Sequence, residues 1–168
     1  MRVYVPLTLS GLAAAHGAGE VGPGPLTAYT VTPGLREWYA SDDIEELEYA
    51  ALNRAAAASL RMIAGDPDEA RRRVVVAVEV PEGAAVPDPG QGPGAASLGA
   101  VRIAAPLPLA KAAAVHVDAG DAEKDVAAAA AALGAADLGD DDALFIVDGA
   151  GYHELLWFGV QEIPQLIG

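Results

Sequence analysis

The sequence predicts an α/β (α+β) domain, with a mixed, mainly antiparallel sheet and helices packed on it. Three observations lead there. Residues 74–80, Val-Val-Val-Ala-Val-Glu-Val, are a near-continuous β-branched run of strand length, which marks a central strand covered on both faces. Residues 42–64 repeat apolar side chains at three- and four-residue steps, the period of a helix with one buried face. The 168 residues suit one domain, 1–168, large enough to bury a core without a metal or a disulfide.

The first strand is read at residues 2–7, where Val3, Val5 and Leu7 alternate. Thr8 or Ser10 can cap a short helix through about His16, because a hydroxyl accepts from a free N–H in the first turn. Gly17, Gly19, Gly22 and Pro23 end that helix, and Leu26 to Val31 form a second strand by their β-branched and aromatic content. Thr32-Pro33 opens a short helix with Leu35, Trp38 and Tyr39, since proline tolerates the first helical position. Asp42 with Glu45 then resembles a capping box for the main helix. Its expected buried stripe is Ile44, Leu47, Ala51, Ala55, Ala58 and Met62, closed by Gly65 and Pro67.

Beyond the 74–80 strand, residues 81–97 are rich in Pro and Gly and read as a flexible surface loop inside a hairpin, with residues 98–104 as the returning strand. Residues 112–117 form another strand. Asp118 or Asp121 caps a helix over about 122–134, and Asp137 to Asp142 make an acidic turn. Residues 144–147 fit either a strand or a helical turn. Tyr152 to Val160 reads as a strand apolar on both faces, followed by a short helix or docked tail. The order is β-α-β-α-β-β-β-α-β, which from the second strand onward is related to the split, ferredoxin-like arrangement.

Composition excludes several functions. The chain has no cysteine, which removes thiol catalysis, iron–sulfur clusters and cysteine zinc sites. Its net charge of −14 repels nucleic-acid phosphates and anionic lipids, so neither nucleic acid nor membrane is an expected partner. The longest Ala-rich run, Val126 to Leu133, is far short of the roughly 20 residues that span a bilayer, and the glycine-rich start makes a poor signal peptide; a cytoplasmic location is expected. Arg71-Arg72-Arg73 reads as a solubilising strand flank rather than a phosphate patch.

The motifs with chemical meaning fail on context. Gly17-Ala-Gly19-Glu-Val-Gly22 has the dinucleotide spacing but follows a helix and leads into Pro23-Gly24-Pro25, which cannot open the helix a pyrophosphate needs. Gly90-Gln-Gly92-Pro-Gly94 leads into a strand. Ser97, in Ala95-Ala-Ser97-Leu-Gly99, has a loop before it and a strand after it, the reverse of a nucleophile elbow. Asp140-Asp141-Asp142 lacks the alternating ligands of a calcium loop. No cofactor or metal site is expected.

Of three histidines, His16 suits a helix C-terminus. His116 and Asp118 stand two apart at a strand end, so their side chains share a face, and His153 with one acid from 137–148 could join them as a base or ligand set. Trp38-Tyr39 and Trp157-Phe158 read as core residues; an exposed member would instead suggest a subunit contact.

Several segments together resemble a family of small actinobacterial proteins of unknown function: Met1-Arg-Val-Tyr-Val-Pro-Leu-Thr8, Thr27-Ala-Tyr29, Val31-Thr-Pro33, Leu35-Arg-Glu-Trp-Tyr39, Glu46 to Ala51, His153-Glu-Leu-Leu-Trp-Phe158 and Gln161-Glu-Ile163. The resemblance implies a free-standing cytoplasmic protein of a GC-rich bacterium and brings no activity with it. The expected role is a non-enzymatic accessory or regulatory protein acting through protein contacts, with a homodimer as one form. The alternative is a small enzyme or ligand-binding domain using His116, Asp118 and His153.

Overall fold

A computed structural model describes residues 1–88 and 98–168. The readings of Gly90 to Gly94 and of Ser97 lie outside the described residues. The chain runs β1 (Arg2–Leu7), α1 (Leu9–Ala18), β2 (Glu20–Val21), β3 (Leu26–Tyr29), α2 (Pro33–Tyr39), α3 (Ile44–Ala64), β4 (Val74–Glu79), β5 (Ala85–Pro87), β6 (Ala100–Ile103), β7 (Leu107–Pro108), β8 (Ala112–Val117), α4 (Glu123–Asp137), α5 (Asp141–Gly151), β9 (Leu156–Phe158) and α6 (Ile163–Ile167). Seven strands form one sheet in the order β5-β6-β3-β1-β4-β8-β9, and β2 pairs separately with β7.

Every strand pair among the described residues is antiparallel. β3 and β4 both run against β1, so they are parallel to each other with β1 between them. The β3-α2-α3-β4 connection is therefore a crossover split by the first strand, which the arrangement read from the second strand onward had left out. The expected hairpin between the strands at 74–80 and 98–104 does not form. β6 pairs with β3 and β5, while β4 pairs with β1 and β8. The cause is β1, whose residues from Val3 to Leu7 are all buried, so that it fills a central place rather than an edge.

Alternate residues of these strands point to opposite faces and make two cores. On one face Val3, Val5, Val74, Val76, Val115 and Val117 pack with Leu12 of α1 and Ile163 of α6. On the other, Tyr4, Tyr29, Val75, Ala77 and Ala114 pack against Leu35 of α2 and Leu47, Ala51 and Ala55 of α3. A third cluster joins Leu60 and Ile63 of α3 to Val126 and Ala129 of α4 and Ala150 of α5.

The third cluster explains why the expected stripe of α3 is partly wrong. Leu47, Ala51 and Ala55 are buried, but Ile44 and Met62 are 49% and 44% exposed. The buried face turns along the helix, because its last turns are covered by α4 and α5 as well as by the sheet, and Ala56, Ser59, Leu60 and Ile63 are buried there. The cap is Asp43 rather than Asp42: its carboxylate accepts from the N–H groups of Glu45 and Glu46. Ser59 adds a buried polar tie, donating to the Leu7 carbonyl at 2.6 Å and accepting from the Val74 N–H at 3.1 Å.

Other elements also depart from expectation. α1 keeps its Thr8 cap but runs to Ala18, where Gly19 takes a left-handed conformation at φ 78°, so the glycine string ends a helix and continues into β2. Ala85–Pro87, inside the expected 81–97 loop, pairs with β6 as a strand. Neither Asp118 nor Asp121 caps α4, which instead follows a 3-10 turn at Gly120–Ala122. The acidic turn is the start of a helix: Asp140 caps α5 through the Ala143 N–H at 2.9 Å, and residues 144–147 are helical. β9 is only three residues long. Among the described residues no helix is long and apolar enough to cross a membrane.

Candidate functional site

The three residues singled out at 116, 118 and 153 occupy different settings. Asp118 follows β8 and is fully buried, bound by Arg73 at the start of β4. The Arg73 Nε and Nη2 groups donate to the two carboxylate oxygens, each at 2.8 Å, and the Arg73 backbone N–H adds a third bond at 2.8 Å. That two-pronged geometry is the strongest form of carboxylate recognition by arginine. It leaves Asp118 a structural anion. Arg72 donates to the Asp118 carbonyl, and Arg71 donates to the carbonyls of Ile63 and Asp66. The arginine cluster is thus no solvated flank. Each guanidinium ties the start of β4 to a neighbouring element, and the carbonyls and the buried carboxylate that hold them are invisible in a run of three charges.

His153 lies just past the end of α5. Its carbonyl accepts from Arg73 Nη2 at 3.0 Å, while its ring Nε2 stands 2.7 Å from Asp125 Oδ2 of α4. Arg73 therefore links Asp118 to the His153 backbone, and the imidazole turns away to pair with α4. Among the described residues no group of three or more His, Asp or Glu side chains is placed to hold a metal ion.

His116 belongs to another place. It sits on β8 directly opposite Val75 of β4 and Trp157 of β9, on the sheet face that α3 covers. Its side chain lines a pocket of about 290 Å³ with Arg2, Tyr4 and Ala114 from the sheet, Glu45, Glu48, Tyr49 and Leu52 from α3, and Trp157. Burial, with a smaller contribution from the nearby Arg2 charge, holds the His116 pKa below its usual value, so the ring favours its neutral form. Burial likewise raises the Tyr4 pKa, with the Glu48 charge acting in the same direction. The Arg2 Nε donates to Glu79 at 2.8 Å. The Tyr49 hydroxyl donates to Glu154 at 3.2 Å, which ties α3 to the segment entering β9.

The aromatic pairs fall outside the core they were expected to fill. Trp157 is 64% exposed on β9, at one end of the sheet, and Trp38 is 60% exposed near the end of α2. Tyr39 is also exposed, with the Arg54 guanidinium 5.9 Å from its ring centre. Only Phe158 packs against the core. A run of large side chains reads as core from sequence; the strand is in fact three residues long at a sheet edge, with little to bury against, and its sequence carries no signal of that. Another cavity, of about 420 Å³ between α3 and α5, is lined by alanine, glycine, Leu60 and Val147 together with Asn53, Asp148, Tyr152 and the already bound Arg73.

The arrangement offers aromatic faces, carboxylates and one neutral imidazole around a shallow pocket, a set suited to binding. No curated protein and no solved structure matches the chain. A family model matches residues 1–167, and on that match the chain belongs to the family of unknown function DUF6912.

Proposed function

We propose that this chain is a non-enzymatic accessory or regulatory domain that acts through protein contact, with the β9 end of the sheet as its docking face. The observation that carries this reading is Trp157, a large aromatic side chain left 64% exposed on the last strand of the sheet, above a pocket it shares with Tyr4, Tyr49 and His116. Tryptophan and tyrosine dominate the energetics of protein interfaces because they bury much area for little lost conformational freedom. A homodimer is the form of this reading in which the partner is a second copy.

Light scattering after size exclusion, combined with Trp157 emission in a Trp38→Phe background, checks the proposal. Expected is the red-shifted emission of a water-exposed indole in the free chain and its blue shift on association. A dimer that Trp157→Ser dissolves makes the partner a second copy. A strict monomer whose Trp157 emission is that of a shielded ring removes the basis of the reading.

A second reading, a ligand-binding or catalytic site, keeps support from His116 alone. Its neutral ring at the pocket could serve as a base near neutral pH. Small-molecule hits in a thermal-shift screen that vanish in His116→Asn would favour it, and hits indifferent to that change would remove it.

A further inference from the structure

We infer that the pocket beneath Trp157 receives the cationic end of an arginine or lysine side chain from a basic segment of a partner protein. The inference rests on the protein-contact reading and names the chemistry of the partner. Three aromatic rings, Tyr4, Tyr49 and Trp157, line the pocket. The face of an aromatic ring attracts a cation, and tryptophan does so most strongly.

Charge points the same way. Glu45 and Glu48 stand three apart on α3 and both line the pocket, so their carboxylates share one face of the helix. Neither forms an ion pair among the described residues; Arg2, the one fixed cation of the lining, is paired with Glu79 outside it while its charge is also felt by Glu48 and His116, so two carboxylates face one guanidinium. Glu45 in the first turn also complements the helix dipole, but Glu48 lies beyond that turn. The pocket is therefore net negative and rimmed by aromatics.

Its size, about 290 Å³, falls at the lower end of small-molecule sites and fits the end of one long side chain. Trp157 sits on the last strand of the sheet, so an extended segment can lie along β9 and put one side chain into the pocket. A second copy of the chain is the poorer occupant, because it brings a net charge of −14 to a negative site. A basic segment is drawn toward the chain by the same field.

The test uses the full chain carrying Trp38→Phe, so that Trp157 is the only indole. It is titrated with a heptapeptide of alternating glycine and arginine, and with the counterpart in which citrulline, equal in shape but uncharged, replaces each arginine. Expected is a saturable change in Trp157 emission with the arginine peptide, weakened about tenfold or more by citrulline and by Glu45→Gln/Glu48→Gln. The control Asp141→Asn/Asp142→Asn removes the same charge from α5 and should weaken binding by no more than about twofold. Equal losses in the two double variants would reduce the effect to general attraction and overturn the inference, as would equal binding of the citrulline peptide or no saturable change. If the arginine peptide fails while Trp157→Ser still breaks a self-association, this inference falls and the contact reading stands. If both fail, both fall.

Discussion

Arg73 and Asp118 are the most consequential pair of side chains in the chain. Both are almost fully buried, and three bonds of 2.8 Å join them across the ends of β4 and β8. Removing one partner strands the other charge away from water, which costs about 3–5 kcal/mol. Arg73→Met should lower stability by that amount in urea titration, and adding Asp118→Leu to it should recover much of the loss. His116 gives a pH prediction. Its folded pKa lies below the ordinary value, so the stability it contributes is fully present above the unfolded pKa of about 6.5 and is lost as the pH falls through that value toward the folded pKa. The charged groups around it in the pocket are Arg2, Glu45 and Glu48. Denaturation midpoints measured between about pH 7 and pH 5 should fall, and the fall should be shallower in His116→Asn.

At the scale of elements, small polar ties decide where helices meet the sheet. Ser59 bridges the end of β1 and the start of β4 from inside α3, and Ser59→Ala leaves the Val74 N–H without that partner, for an expected loss of about 1–3 kcal/mol. Asp140→Ala removes the α5 cap and should cost about 1 kcal/mol, read by the same urea titration. Elements with strong local chemistry were legible in the sequence: β1, β4 and β8 by their valines, α1 and α2 by Thr8 and Thr32, and α3 by its period. α5 was left open, because Leu144 to Val147 is a short continuous apolar run that fits a strand as well as a helical turn, and its acidic start reads equally well as a turn. The rotation of the buried face of α3 was hidden too, since it depends on α4 and α5, some 60 residues further on or more. Of the pocket lining, His116 and Trp157 were singled out in the sequence, but for different reasons, and nothing there connected them with each other or with α3. Glu45, Glu48 and Tyr49 come from a helix far away in the chain, and Asp118 looked like a companion only because it stands two residues away. Its carboxylate instead belongs to Arg73.

At the scale of the whole molecule, the net charge of −14 sets the terms on which the chain meets others. Self-repulsion of that size weakens the compact state, so the thermal midpoint should rise between about 0.01 M and about 0.3 M salt. Salt should also separate the two kinds of partner, tightening contact with another acidic copy and loosening contact with a basic segment. The two cores on opposite faces share the same strands, so a change on one face is felt on the other through the backbone of β1 and β4. The placement of β1 then bears on how the chain acquires its structure. The first strand of this sequence lies in the middle of the sheet, and its main partner, β4, is some seventy residues further along. Without β4, β1 is tied to the β3 segment by one paired position, Tyr4 with Tyr29, and by the Thr30 hydroxyl, which donates to the Arg2 carbonyl. Until β4 pairs with it, β1 therefore carries an unsatisfied valine-rich edge, and closing that gap is a long-range search rather than a local zipping. Refolding from denaturant should accordingly proceed on the slow, millisecond-to-second side of the range for small domains, with substitutions at Val3 or Val5 slowing it if the β1–β4 pairing is its limiting event.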